Sequence, residues 1–140
     1  MTTVSTAARS DSLLRLAFRV DAVVSGLAGI AILVAAGSVS GSTGYSQALL
    51  YGLGAGFVVY AAALLVVARL EPTRLRSAGI AIAVGNTLFT VLTVIVVLAR
   101  PVDLTTAGVV LTLASGLGTL VFADLQYLGA RRIKDQGRTG

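Results

Sequence analysis

The stretch LLRLAFRVDAVVSGLAGIAILVAAG, residues 13–37, decides the fold class of this 140-residue chain. A helix of about 20 apolar residues crosses the hydrocarbon core of a bilayer, and residues 16–36 supply such a run. Two charged residues, Arg19 and Asp21, lie near its start. The stretch therefore predicts a first membrane-spanning helix that carries a small polar region.

A cleavable signal peptide is the alternative interpretation of this stretch. It has a basic start and an apolar middle, and it ends with small residues at Val34, Ala35 and Ala36. The apolar region of a signal peptide is about 7–15 residues long, whereas this run is longer and contains Asp21. We therefore expect a retained helix.

Three further apolar runs follow, at residues 48–68, 78–99 and 106–128. The connections between the runs are short and carry turn or helix-stop residues, among them Pro72 and Pro101. Short connections between spans make antiparallel neighbours. The sequence therefore predicts an all-α polytopic membrane protein, a four-transmembrane-helix antiparallel bundle over residues 13–132. A mobile N-terminal tail (1–12) and a basic tail (133–140) are expected on either side.

The distribution of basic residues predicts the orientation. Four spans place both termini on one side, and ten of the eleven Lys and Arg residues fall on that side. These ten are Arg9, Arg15, Arg19, Arg69, Arg74, Arg76, Arg131, Arg132, Lys134 and Arg138. By the positive-inside rule, both termini are cytoplasmic, which predicts a multi-pass protein of the plasma (inner) membrane. Since the net charge of +5 reflects topology, the expected partner is the lipid bilayer and not nucleic acid.

The two charges of the first span raise the question of their partners. Asp21 shares a helix face with Ser25 and Gly29, whereas Arg19 projects about 160° away and can extend to the headgroups. Asp21 must therefore find a partner on another helix, meet water or be protonated. Candidates at similar depth are Asn86 in the third span and Gln126 in the fourth.

We therefore predict an intramembrane polar cluster built on Asp21 and Asn86, with Gln126 and either Arg19 or Asp124 at its rim. Intramembrane ionisable groups are candidates for function, and polar groups also join helices to one another. Both interpretations, interhelical contact and a ligand or proton site, remain open at this point.

Small residues spaced four apart allow close helix packing in lipid. Each span contains such residues, and the predicted helix-packing glycines are Gly26, Gly29, Gly52, Gly56, Gly85 and Gly116. They have two interpretations. Their faces either pack within the chain, or they hold a partner chain or a second copy in a homo-oligomer.

Three motifs carry a family resemblance: D-x-x-x-S-G-x-x-G from Asp21, G-N-T from Gly85, and A-D-L-Q-Y-L-G-A-R-R from Ala123. Together they resemble uncharacterised small four-helix integral membrane proteins of bacteria. That resemblance implies no established activity. A second likeness, to small multidrug-resistance transporters, rests on four spans and a carboxylate in the first. The chain departs from those transporters because its acid lacks aromatic surroundings and its basic bias forbids dual topology.

The composition argues against catalysis. The chain has no His and no Cys, and it contains no phosphate loop, G-x-S-x-G or H-E-x-x-H motif. We expect no enzyme activity, no cofactor and no metal site. The expected function is a non-catalytic accessory or scaffold subunit that packs against other membrane components. The alternatives are a small homo-oligomeric transporter or carrier that uses the Asp21 cluster, and a membrane-surface sensor that uses the basic tail.

Overall fold

The computed structural model describes residues 10–133, and four long α-helices account for most of them. They are α1 (Ser12–Thr43), α2 (Gln47–Val67), α3 (Pro72–Ala99) and α4 (Thr106–Arg132). Each helix is long and apolar enough to cross a membrane, so the prediction of an all-α chain with four membrane-length helices is confirmed. The predicted tails lie almost entirely outside the described residues.

Three helices extend past their predicted spans. Residues 37–43 continue α1, although their Gly and Ser content predicts a connection. In that last turn Thr43 Oγ1 donates to the Val39 carbonyl at 2.6 Å, so its hydroxyl is satisfied within the helix. α3 begins at Pro72, because proline suits a first helical position, and α4 continues to Arg132.

Gly44 ends α1 in the left-handed conformation, with φ +87°. Glycine adopts this conformation without steric cost. A Cβ at this position would also overlap the carbonyl oxygen of Asp103 in the α3–α4 connection. Gly44 therefore both stops the helix and admits a neighbouring connection.

The helices associate as two sequential pairs. α1 packs against α2, α3 packs against α4, and the pairs meet along α1 and α4. The main apolar core lies at one end of the molecule, where α1 and α3 begin and α2 and α4 end. Its buried members are Leu14, Phe18, Ala22, Ala61, Leu64, Ala68, Leu75, Ala130 and Ile133.

Arg15 fastens the start of α1 to the end of α2. Its guanidinium donates to the Ala68 carbonyl at 2.7 Å and pairs with Asp11 at 2.8 Å. The last carbonyls of a helix lack intrahelical partners and carry a partial negative charge. Arg15 therefore satisfies one such group while Asp11 holds it in position.

At the opposite end, α1 is joined to α4. The Thr105 amide donates to the Thr43 carbonyl at 3.0 Å. Nearby, the Tyr45 and Thr112 hydroxyls lie 2.6 Å apart. A Cβ at Gly108 would overlap the Thr43 carbonyl oxygen, so the two backbones meet directly. α1 and α4 are thus in contact near both ends of the molecule.

Large apolar side chains cover the outer surface. Val34 is 84% exposed and Leu98 is 77% exposed, and many other Leu, Val and Ile residues share this surface. Soluble monomers rarely expose apolar patches of this extent, whereas lipid chains solvate them without penalty. The four apolar helices therefore indicate a multi-pass membrane protein associated with a lipid bilayer.

Candidate functional site

The candidate site is built around Asp21, whose side chain faces the interior of the molecule. Asp21 is only 3% exposed although it lies within an apolar helix. Ser25, one turn later on the same face of α1, donates its hydroxyl to Asp21 Oδ1 at 2.8 Å. This contact satisfies one carboxyl oxygen, and the other faces the remaining helices.

Gln126 of α4 and Asn86 of α3 supply the next contacts. Gln126 is fully buried, and its Nε2 donates to Asp21 Oδ2 at 2.7 Å. Asn86, 8% exposed, donates Nδ2 to Gln126 Oε1 at 2.9 Å. Three members of the predicted cluster, Asp21, Asn86 and Gln126, therefore lie in one continuous hydrogen-bonded chain.

Tyr60 of α2 completes the site, and the sequence prediction did not include it. Its hydroxyl lies 2.9 Å from Asp21 Oδ2 and 3.1 Å from Asn86 Oδ1. Each helix thus contributes one member to a closed ring: Asp21, Tyr60, Asn86 and Gln126. A signal for Tyr60 exists in the sequence, because a tyrosine buried away from the membrane interface needs a hydrogen-bond partner.

Arg19 and Asp124 were predicted at the rim of this cluster, and the structure places both outside it. Both residues are exposed. Each lies two positions from a ring member, Arg19 from Asp21 and Asp124 from Gln126. Since residues two apart project about 160° from each other on a helix, neither side chain can turn inward beside its neighbour.

Three of the six predicted packing glycines lie at helix contacts. A Cβ on Gly29 would approach the Gly54 carbonyl oxygen to 2.7 Å, and one on Gly26 would lie 3.3 Å from Ala61 Cβ. A Cβ on Gly116 would overlap Thr93 Oγ1. The first two contacts join α1 to α2, and the third joins α3 to α4.

The other three packing glycines face outward. A Cβ on Gly52, Gly56 or Gly85 would meet nothing within 4 Å, and all three residues are exposed. Gly54, which the sequence prediction omitted, occupies the α1 contact instead: its Cβ would lie 2.9 Å from the Gly29 carbonyl oxygen. Spacing alone identifies small-residue pairs on α2 but not the side of the helix that packs.

Known proteins give no match. No family model matches the sequence, and neither a curated protein nor a solved structure matches it. The resemblance to small four-helix bacterial membrane proteins therefore stays a prediction, and the chemistry of the site must be argued from the residues themselves.

The site is a single carboxyl among neutral hydrogen-bonding groups. The ion pairs found within residues 10–133, Arg15–Asp11 and Arg74–Glu71, do not involve Asp21. In the same residues no three His, Cys, Asp or Glu side chains come together. The ring therefore offers one carboxyl group surrounded by neutral hydrogen-bond donors and acceptors.

Two surface grooves lie apart from the ring. One, of about 350 Å³, runs between α3 and α4 and includes Ala83, Ala123 and Asp124. The other, of about 220 Å³, lies beside Arg100 and Leu104. Neither is lined by a ring residue, so the ring is closed to these two grooves.

Proposed function

We propose that this chain is a non-catalytic integral membrane protein, an accessory or scaffold subunit that packs against another membrane component. The observation that supports this role is the α2 outer face, which consists of Gly52, Ala55, Gly56, Val59 and Ala63. All five residues are exposed, and their spacing puts them on one side of the helix.

The α2 outer face differs from the outer surface of α3 in the size of its side chains. The outer surface of α3 presents large side chains such as Leu88, Leu92 and Leu98, which are well suited to lipid. The α2 outer face instead presents two glycines with open space at their Cβ positions. In lipid, such surfaces let another helix approach closely enough for backbone packing, so α2 is the docking helix in this proposal.

The proposed orientation has both termini in the cytoplasm and the chain in the plasma (inner) membrane. Ten of the eleven basic residues support it, since they lie in the segments that this orientation keeps inside. Arg100, in the α3–α4 connection, is the exception. A partner that docks on α2 would contribute a helix within the same membrane.

A paired-variant purification tests the proposal. Tagged native protein is extracted in mild detergent, and its complexes are measured by native mass spectrometry. We expect a stoichiometric membrane partner that is lost in Gly56→Leu and retained in Gly118→Leu. Gly118 is the matched control because its Cβ position is equally open and it lies on α4. Equal retention in both variants would refute docking on α2.

A second candidate, a small homo-oligomeric carrier, is favoured by Asp21 itself. A buried carboxyl that pairs with no cation is a typical ion- or proton-pathway residue in membrane proteins. This function predicts a homo-oligomer without a partner and ion or proton flux that Asp21→Asn abolishes. Flux in liposomes that is equal for wild-type and Asp21→Asn protein would exclude it.

A further inference from the structure

If Asp21 is ionised, the side chains around it supply one proton fewer than the number of hydrogen-bond contacts between them. Four contacts join the ring members, and Ser25 adds a fifth contact to Asp21: Gln126–Asp21, Asn86–Gln126, Tyr60–Asp21, Tyr60–Asn86 and Ser25–Asp21. When the carboxyl group is ionised, Ser25, Gln126 and Asn86 each donate the proton for one contact. The single Tyr60 proton must then serve two acceptors, Asp21 Oδ2 and Asn86 Oδ1. One contact is left with two facing oxygens and no proton.

We propose that Asp21 is a proton-binding site and that its proton closes the ring. A proton on Asp21 Oδ2 is donated to the Tyr60 oxygen, and Tyr60 then donates to Asn86 Oδ1. Asn86 donates to Gln126, and Gln126 returns to Asp21, so every contact holds one proton. The inference goes beyond the accessory role and does not depend on it.

The conclusion is the same when the amides are reversed. The O and N atoms of Asn and Gln are exchangeable in a structure, so both amides can be turned together. Gln126 Oε1 then faces Asp21 Oδ2 at 2.7 Å, which requires a proton between them. Tyr60 accepts from Asn86 and donates to Asp21, and the ring runs the other way. Both orientations thus need the Asp21 proton.

No cation takes the place of that proton among the described residues. On α1, Arg15 is paired with Asp11, and Arg19 is exposed. α2 faces Asp21 with Tyr60, α3 faces the ring with Asn86, and α4 contributes Gln126 and turns Asp124 outward. An uncompensated carboxylate in this interior is unfavourable, and a proton on Asp21 neutralises it.

Loss of the proton changes the contact between α2 and α3. An ionised Asp21 is a stronger hydrogen-bond acceptor than Asn86. The Tyr60 hydroxyl then donates to Asp21, and Asn86 loses its hydrogen bond from Tyr60. Two side-chain contacts join the middle of α2 to the middle of α3: Tyr60 with Asn86, and Phe57 edge-to-face with Phe89 at 6.1 Å. The end of α2 and the start of α3 are held separately, in the apolar core. Deprotonation therefore removes the polar contact and loosens the middle of α2 from the middle of α3.

Infrared spectroscopy tests the proton directly. The difference spectrum between wild type and Asp21→Asn removes the signals of the other five of the six acidic residues. At neutral pH we expect a carboxylic-acid C=O band assigned to Asp21. In Tyr60→Phe, which keeps the acid but removes its acceptor, the band should move to higher frequency. A carboxylate band in its place, or a band that Tyr60→Phe does not move, would overturn the proposal.

Spin labels test the consequence for the helices. The chain has no Cys, so Val59→Cys and Leu88→Cys can be labelled without background, and both positions are exposed. We expect the distance between the labels to lengthen or its distribution to broaden at a pH that removes the acid band. The same pair in Asp21→Asn should not respond to pH. An unchanged distribution in the wild-type background would overturn the loosening of α2 from α3.

Discussion

The Nε2 atom of Gln126 lies 2.7 Å from Oδ2 of Asp21, so the last helix donates a hydrogen bond to the first across 105 sequence positions. Because Gln126 also accepts from Asn86, it connects three helices at a single buried amide. The residue that holds the site together is thus a neutral one, and the acid depends on it.

Gln126→Leu should destabilise the protein by about 1–3 kcal/mol, since it leaves Asp21 Oδ2 and Asn86 Nδ2 with fewer buried partners. Unfolding in a detergent–denaturant titration measures the loss. Tyr127→Leu is the control, because Tyr127 is exposed on the same helix. Equal stability of Gln126→Leu and wild type would mean that the ring contributes nothing to the fold.

Gly54→Leu should cost about 1–3 kcal/mol through overpacking. A Cβ there would lie 2.8 Å from Leu33 Cγ and 2.9 Å from the Gly29 carbonyl oxygen, and backbone cannot move aside as a flexible side chain does. Thermal unfolding in detergent measures the effect. Gly52→Leu serves as the comparison, since its Cβ position is open. If both variants unfolded together, the α1–α2 contact would not be close-packed.

Arg15→Ala should destabilise the protein by about 1.5–3 kcal/mol, the range for hydrogen bonds to charged groups. It removes the contact to the Ala68 carbonyl and the pairing with Asp11. Arg74→Ala should have an effect of about 0–1 kcal/mol, because the Arg74–Glu71 pair is exposed. The two variants are compared by chemical denaturation, and a larger loss for Arg74→Ala would contradict this assignment.

The proposed orientation predicts which connection faces the cytoplasm. Glu71→Cys and Asp103→Cys replace exposed acids in two different connections of a chain that lacks native Cys. In intact cells, a membrane-impermeant maleimide should label Asp103→Cys at once and Glu71→Cys only after permeabilisation. The reverse pattern would invert the topology.

The helices and part of the site were predictable for distinct physical reasons. Length and hydropathy fix a membrane helix locally, so the four runs were found without knowledge of packing. Asp21, Asn86 and Gln126 were also recognisable, because a polar side chain within an apolar run requires partners. Tyr60 was not recognised, because its ring is apolar and does not interrupt the hydropathy of the run, although a tyrosine away from the membrane interface needs a partner for its hydroxyl.

The side of each helix that packs was harder to predict. α2 carries glycines at positions 52, 54 and 56, and the G-x-x-x-G spacing favours the outer two. The structure instead packs Gly54 against Gly29. Lipid-facing and protein-facing surfaces are both apolar, so hydropathy cannot tell them apart, and the choice depends on how two particular helices interlock. Arg19 and Asp124 lie outside the ring for a different reason, because each is two positions from a ring member and projects about 160° away from it.

The ring also has a consequence for biogenesis, because its members are synthesised far apart in time. When α1 enters the membrane, Ser25 is the one hydrogen-bond partner of Asp21 already synthesised, and Tyr60 follows with the second helix. Gln126 is synthesised last, so Asp21 lacks this hydrogen-bond donor during most of translation. A chain truncated before α4 retains an unfinished polar site in the bilayer.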